Sequence, residues 1–147
     1  MPAVSSFDYA IVRVVPHVER EEFINVGVIL FCRTRRCLLT RLELDVDRLT
    51  ALAPDFDVAQ VQAHLDLIPR ICAGGPEAGP FAGLSQAERF HWLVSPRSTV
   101  IQISPVHCGL CTNPKAALND LFERLVRSSP ATGRLLLSKE IKPAGVK

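Results

Sequence analysis

The sequence predicts an α+β domain: an antiparallel sheet of about four strands, three in an N-terminal meander plus a later one, packed against two main helices. Three observations carry this reading. Residues 7–44 hold three runs with the composition of strands. Two later stretches repeat apolar residues at spacings of three and four. The elements then run strand, strand, strand, helices, strand, helix.

Residues 7–15 (Phe-Asp-Tyr-Ala-Ile-Val-Arg-Val-Val) are rich in β-branched and aromatic side chains and stop at Pro16. A second strand is expected from about Phe23 to Cys32. It is apolar on both faces, so it belongs at the centre of a sheet covered on both sides. Arg33-Thr34-Arg35-Arg36 suits a hairpin turn, and a third strand, nearer an edge, covers about Cys37 to Leu44. Asp45 to Ala53 reads as a short helix ended by Pro54. Asp55 or Asp57 can cap a longer one carrying Val58, Val61, Leu65, Ile68 and Cys72 on one stripe. Pro69 should kink or stop that helix near Ile68. Residues 73–84, with four glycines and two prolines, read as a loop. Ser85 and Glu88 fit a capping box before a short helix ending near Leu93. Thr99 to Ser104 makes the fourth strand, and residues 105–112 a second loop. Asn113 caps a helix with Pro114 at its first position, and Leu118, Leu121, Phe122, Leu125 and Val126 form its apolar stripe. Residues 1–130 are expected to form one domain and 131–147 a basic tail with one apolar patch, Leu135 to Leu137.

The chain has 147 residues, 48% hydrophobic and 22% charged, which excludes a disordered, fibrous or coiled-coil chain. A net charge of +2 gives no global reason to expect nucleic acid or an acidic membrane. The longest apolar run, Val26 to Cys32, is far too short to span a bilayer. Met1 to Asp8 lacks the basic and apolar regions of a signal peptide. Five cysteines without such a signal suggest reduced thiols, so a cytoplasmic location is expected.

Three stretches resemble one bacterial family, the domain of unknown function 3037. They are Tyr9 to Pro16 continuing through Glu22-Phe23-Ile24-Asn25-Val26-Gly27-Val28-Ile29; Ile71 to Pro76; and Arg89-Phe90-His91-Trp92-Leu93 through Ser95 to Gln102, then Ser104 to His107. The resemblance runs from about Phe7 to Val126. It implies a small, soluble bacterial protein whose relatives often lie beside genes for HipA-type serine/threonine kinases, making such a kinase the expected partner. This chain departs from the family pattern at Glu21, where Gly is usual, and at Cys108, where Thr is frequent.

Candidate site residues are Glu22, Asn25, His91, Arg97, Ser98 and His107. Arg97 and Ser98, following Pro96, can hold a phosphate or carboxylate. His107 stands at the other end of a strand of about 20 Å, so the two ends make no single tight pocket. Structurally, Arg97 pairs with an acid or a helix-end carbonyl, and an internal pair with Glu22, Glu88 or Asp8 is expected. Glu22 and Asn25 point to opposite faces of the sheet. Asn25 shares its face with Gly27, whose missing side chain admits a ligand or a packed neighbour. His107-Cys108-Gly109-Leu110-Cys111 contains a Cys-x-x-Cys pair, but a structural zinc normally needs a second pair, so no metal and no cofactor are expected. Asp45 and Asp47 are more simply partners of a helix dipole than cation ligands.

No nucleophile elbow, zinc-protease motif, P-loop or dinucleotide fingerprint is present. The leading reading is a non-catalytic binding module acting with a HipA-type kinase. One alternative is a small-molecule or nucleotide-binding enzyme using Arg97, Ser98 and His107, joined by His91, Glu22 or Asn25. The other is nucleic-acid binding through the arginines of the hairpin, Arg33, Arg35, Arg36 and Arg41, and the basic tail.

Overall fold

A computed structural model describes residues 3–97 and 99–127 of the chain; Ser98 and the tail, including Leu135 to Leu137, lie outside the described residues. The architecture is α+β, as the sequence predicts. Strands β1 (Ser5–Val14), β2 (Ile24–Cys32) and β3 (Cys37–Leu42) form an antiparallel meander. β4 (Ile101–Ile103) pairs with the far half of β1, giving the order β3-β2-β1-β4. β3 is therefore at an edge and β2 is central.

A fifth strand, β5 (His107–Cys111), pairs antiparallel with residues 5–9 of β1 along the same edge as β4. Residues 105–112 are thus not all loop, contrary to the sequence reading. The strand escapes pattern analysis because it is an outer strand, largely exposed, and has a glycine at its centre. Gly109 is required there: a Cβ would sit 2.5 Å from Phe7 Cζ, so the ring of Phe7 takes the place of a side chain. Between β4 and β5 the chain breaks step at Ser104-Pro105. The buried Ser104 bridges the gap, accepting the Ile11 amide on its Oγ at 2.8 Å while its own amide donates to the Ile11 carbonyl at 2.9 Å.

Both faces of the sheet are covered. Helices α1 (Val46–Leu52), α2 (Val58–Leu65), α3 (Leu67–Ala73) and α4 (Gln86–Val94) pack on one face. They bury Leu49, Val61, Leu65, Ile71 and Phe90 against Val12, Val14, Ile24, Val26, Ile29 and Phe31. Helix α5 (Pro114–Leu125) covers the other face, where Leu118, Leu121 and Phe122 meet Phe7, Val28, Leu30 and Cys32. Phe122 alone, fully buried, is worth about 1.5–3 kcal/mol.

Local signals behave as the residues dictate. Asp45, Asp57 and Asn113 cap α1, α2 and α5 with side-chain oxygens, and Ser85 and Glu88 form the complete capping box of α4. The interruption caused by Pro69 falls at Asp66, upstream of Ile68. A proline ring clashes with the carbonyl four residues back, here Leu65, so the helix ends there and restarts with Pro69 in its first turn. Residues 76–81, read as loop, wind into two short 3-10 turns hinged at Gly79, whose φ is 58°.

One irregularity redirects side chains. On β2 the pairing steps from Gly27 opposite Val12 to Asn25 opposite Arg13, so Val26 has no partner on β1. This bulge places Val26 and Gly27 both toward α1–α4 and turns Asn25 toward α5. Asn25 and Gly27 therefore do not share a face, and the space beside Gly27 is filled by Leu42 of β3, not by a ligand or a helix. Among the described residues no helix is long and apolar enough to cross a membrane.

Candidate functional site

The candidate with the most apolar lining is a groove of about 380 Å³ between α2, α3, α4 and β4. Its walls are Leu67, Ile68 and Ile71 of α3, Trp92 and Leu93 of α4, and Ile101 and Ile103 of β4. Its polar lining is His64, Arg97 and Thr99, with no acidic residue. Leu67 is 47% exposed and Trp92 43%, so both walls present apolar surface to water. Volume and lining fall within the range of small-ligand sites.

The local sequence builds the rim of this groove. Pro96 cannot continue α4, and Ser95, extended, donates its hydroxyl to the His91 carbonyl at 2.7 Å. The chain then doubles back, so that Arg97 donates to the Trp92 carbonyl at 2.5 Å and lies 4.0 Å over the indole. Phe81 supports the indole from the 3-10 segment, 4.4 Å away. A cation at a helix C-terminus meets carbonyls that have no partner within the helix. This corrects the expected internal ion pair. Among the described residues no acid pairs with Arg97, because Glu22 is bonded to Arg20, Glu88 to Ser85 and Asp8 to Cys108.

The remaining sequence candidates do not converge on it. Glu22 precedes β2 in an exposed ion pair with Arg20 at 2.8 Å, and that hydrogen bond holds its carboxyl below the usual range. His91 is exposed on α4 beside Phe90. His107, on β5, sits 5.3 Å from the Tyr9 ring opposite it. Asn25 donates its Nδ2 to the Leu125 carbonyl at 3.1 Å and lies on the α5 side. Of the six candidates, only Arg97 lines the groove; Ser98 lies outside the described residues.

The Cys-x-x-Cys pair lies along a strand, so its two thiols point to opposite faces. Cys108 donates to Asp8 at 3.4 Å, which raises its pKa, while Cys111 packs toward α5 near Cys32 and Cys37. Among the described residues no three His, Cys, Asp or Glu side chains group as metal ligands. The arginines of the hairpin are also split. Arg33 stacks on Phe31 and Arg35 is tied to Ser5, whereas Arg41 lies over Phe122 and pairs with Glu123.

Sequence reasoning missed Trp92, Leu67 and His64, because a groove wall drawn from three helices leaves no periodic trace. It also missed Arg89, which is 7% exposed and donates to the carbonyls of Leu84 and Cys72 at 2.6 and 3.5 Å. Gly74, with φ 72°, is needed beside it: a Cβ there would sit 3.1 Å from the guanidinium carbon. Burial pushes the neighbouring Cys72 thiol up to about 12, against the pull of Arg89.

No curated protein and no solved structure matches the chain significantly. A family model does match it, over residues 9–126, from the middle of β1 through α5. The chain therefore belongs to the family described as protein of unknown function DUF3037.

Proposed function

We propose that the protein is a non-catalytic binding module whose apolar groove takes an acidic, apolar segment of a protein partner, a HipA-type kinase being the first partner to test. The observation that carries this is the groove's composition: exposed Trp92 and Leu67 on its walls, Arg97 at its rim and no acidic lining residue. Exposed aromatic and arginine side chains in one depression are the residue types that dominate binding energy at interfaces. Glu22, His91 and His107 do not line the groove, and His64, which does, has no carboxylate beside it in the lining, so among the described residues the groove holds no acid–base pair. The kinase rests on the family resemblance alone.

Trp92 is the chain's one tryptophan, which makes it a reporter of the groove. Adding a purified HipA-type kinase should shift or quench its emission. Leu67→Asp should weaken that binding about tenfold or more, the effect of roughly 1.4 kcal/mol, while the melting temperature stays unchanged. Unaltered binding by the variant would move the contact elsewhere; no binding of the kinase by wild type would remove that partner.

A further inference from the structure

A second cavity, of about 340 Å³, is lined by Arg13, Phe23 and Gln102 with Glu21 on its wall. Arg13 stands opposite Gln102 on β4 and opposite Asn25 on β2, so the three polar side chains form a row across the sheet on the α5 face. The bulge at Val26 is what brings Asn25 into this row.

Two buried atoms in the row have no hydrogen-bond partner, Arg13 Nε and Asn25 Oδ1. Only Arg13 Nε is a donor that an anion could satisfy; Asn25 Oδ1 is an acceptor and lines a separate cavity with Glu43, Asp45, Val126 and Arg127. The Arg13 guanidinium lies 4.3 Å over the Phe23 ring. Among the described residues no carboxylate is within ion-pair distance of it. Glu21, although it lines the same cavity, is held outside that distance on a backbone turn with φ 56°.

A guanidinium partly withdrawn from water, with no counter-charge, is costly to keep, and its unpaired buried Nε–H asks for an explanation. An arriving oxyanion supplies the missing charge and can take two parallel N–H bonds from the planar fork. Glu21 on the wall repels a dianion more than a monoanion, which favours carboxylate over phosphate. We propose that this pocket binds a small monocarboxylate, seated on the Arg13 guanidinium over Phe23 and flanked by Gln102. The proposal is independent of the groove and of any kinase.

The test is an NMR titration of the 15N-labelled full chain with sodium acetate, with sodium chloride and sodium phosphate as parallel arms at equal ionic strength. Acetate should shift the Arg13 Nε–H resonance saturably, chloride should not, and phosphate should bind more weakly. Arg13→Gln should abolish saturation at the neighbouring amides of Phe23 and Gln102. If that variant fails to fold, Phe23→Leu should weaken acetate binding about tenfold, the loss of roughly 1.4 kcal/mol. An equal response to chloride, an equal shift at the exposed Arg33 and Arg36, or acetate binding unchanged by the substitutions would overturn the site. Tighter binding of phosphate would overturn the choice of a monocarboxylate.

Discussion

Ser104 Oγ accepts the Ile11 amide at 2.8 Å, replacing with a side chain the ladder bond lost where the edge of the sheet breaks between β4 and β5. Ser104 is 2% exposed, and the same hydroxyl donates to the Pro105 carbonyl at 2.9 Å. Ser104→Ala would leave the Ile11 N–H without a partner. The expected loss is about 1–3 kcal/mol in denaturant unfolding, with faster amide exchange at Ile11.

Gly27 has no room for a side chain. A Cβ there would lie 2.8 Å from the Arg41 carbonyl oxygen, which is backbone and cannot turn aside, and would run into Leu42. Gly27→Ala should destabilise the protein by about 1–3 kcal/mol through overpacking. It should leave acetate and kinase binding unchanged once folded, since neither site borders Gly27. An increase in stability would show that β3 is free to move outward.

Arg97→Ala tests the groove directly. Its partners are a helix-end carbonyl and an aromatic face, not a buried carboxylate. Losing them should cost no more than about 1 kcal/mol of stability. Partner binding should fall much further than that. A large drop in melting temperature with binding intact would make the residue a structural clamp alone.

Acid should dismantle the start of α4 in a defined order. The Ser85 amide, then its hydroxyl, hold the Glu88 carboxyl below its usual 4.5. A lowered carboxylate pKa stabilises the fold fully above the ordinary value and ceases to do so as pH falls through the lowered one. The melting-temperature gap between wild type and Glu88→Ala should thus stay constant down to about pH 5 and close below it. A gap that persists in strong acid would mean the side chain acts by packing. Ser85→Ala should cost about 1 kcal/mol at neutral pH.

The thiols should react unequally. Cys108 is exposed, while Cys32 and Cys72 are buried, Cys72 with its pKa pushed up to about 12. At about pH 8, iodoacetamide followed by mass spectrometry should find Cys108 labelled in the native protein and Cys32 and Cys72 labelled only after unfolding. Early labelling of Cys72 would show that α3 opens locally.

Much of the fold is legible because it rests on local chemistry. Asp57, Ser85 and Asn113 announce their helices through capping, and β2 announces its central place through apolar residues on both faces. What was hidden depends on contacts distant in sequence. β5 is recognisable only from its pairing with β1, and Gly109 only from the Phe7 ring. The candidate site was less legible still. Arg97 is visible next to Pro96, and a helix-end carbonyl is among its expected partners, but the sequence does not decide between that carbonyl and an acid, because each candidate acid's own partner is set by the fold. Simple alternation puts Asn25 on the face of Gly27, and the bulge at Val26 inverts that.

The bulge also bears on how chains of this family can change in length. Val26 is the surplus residue of β2: its side chain is buried toward α1–α4, and its carbonyl accepts from the Glu43 amide at 2.7 Å, but it takes no place in the pairing with β1. Removing it would leave Ile24, Asn25 and Gly27 facing as they do now, at the loss of one valine's burial. Removing any other residue between Gly27 and Phe31 would transpose every side chain on one side of the gap, carrying core residues outward. Position 26 is therefore the hinge of descent in this strand. Relatives one residue shorter in β2 should show the gap there, and one without it should keep the Arg13–Asn25 row intact.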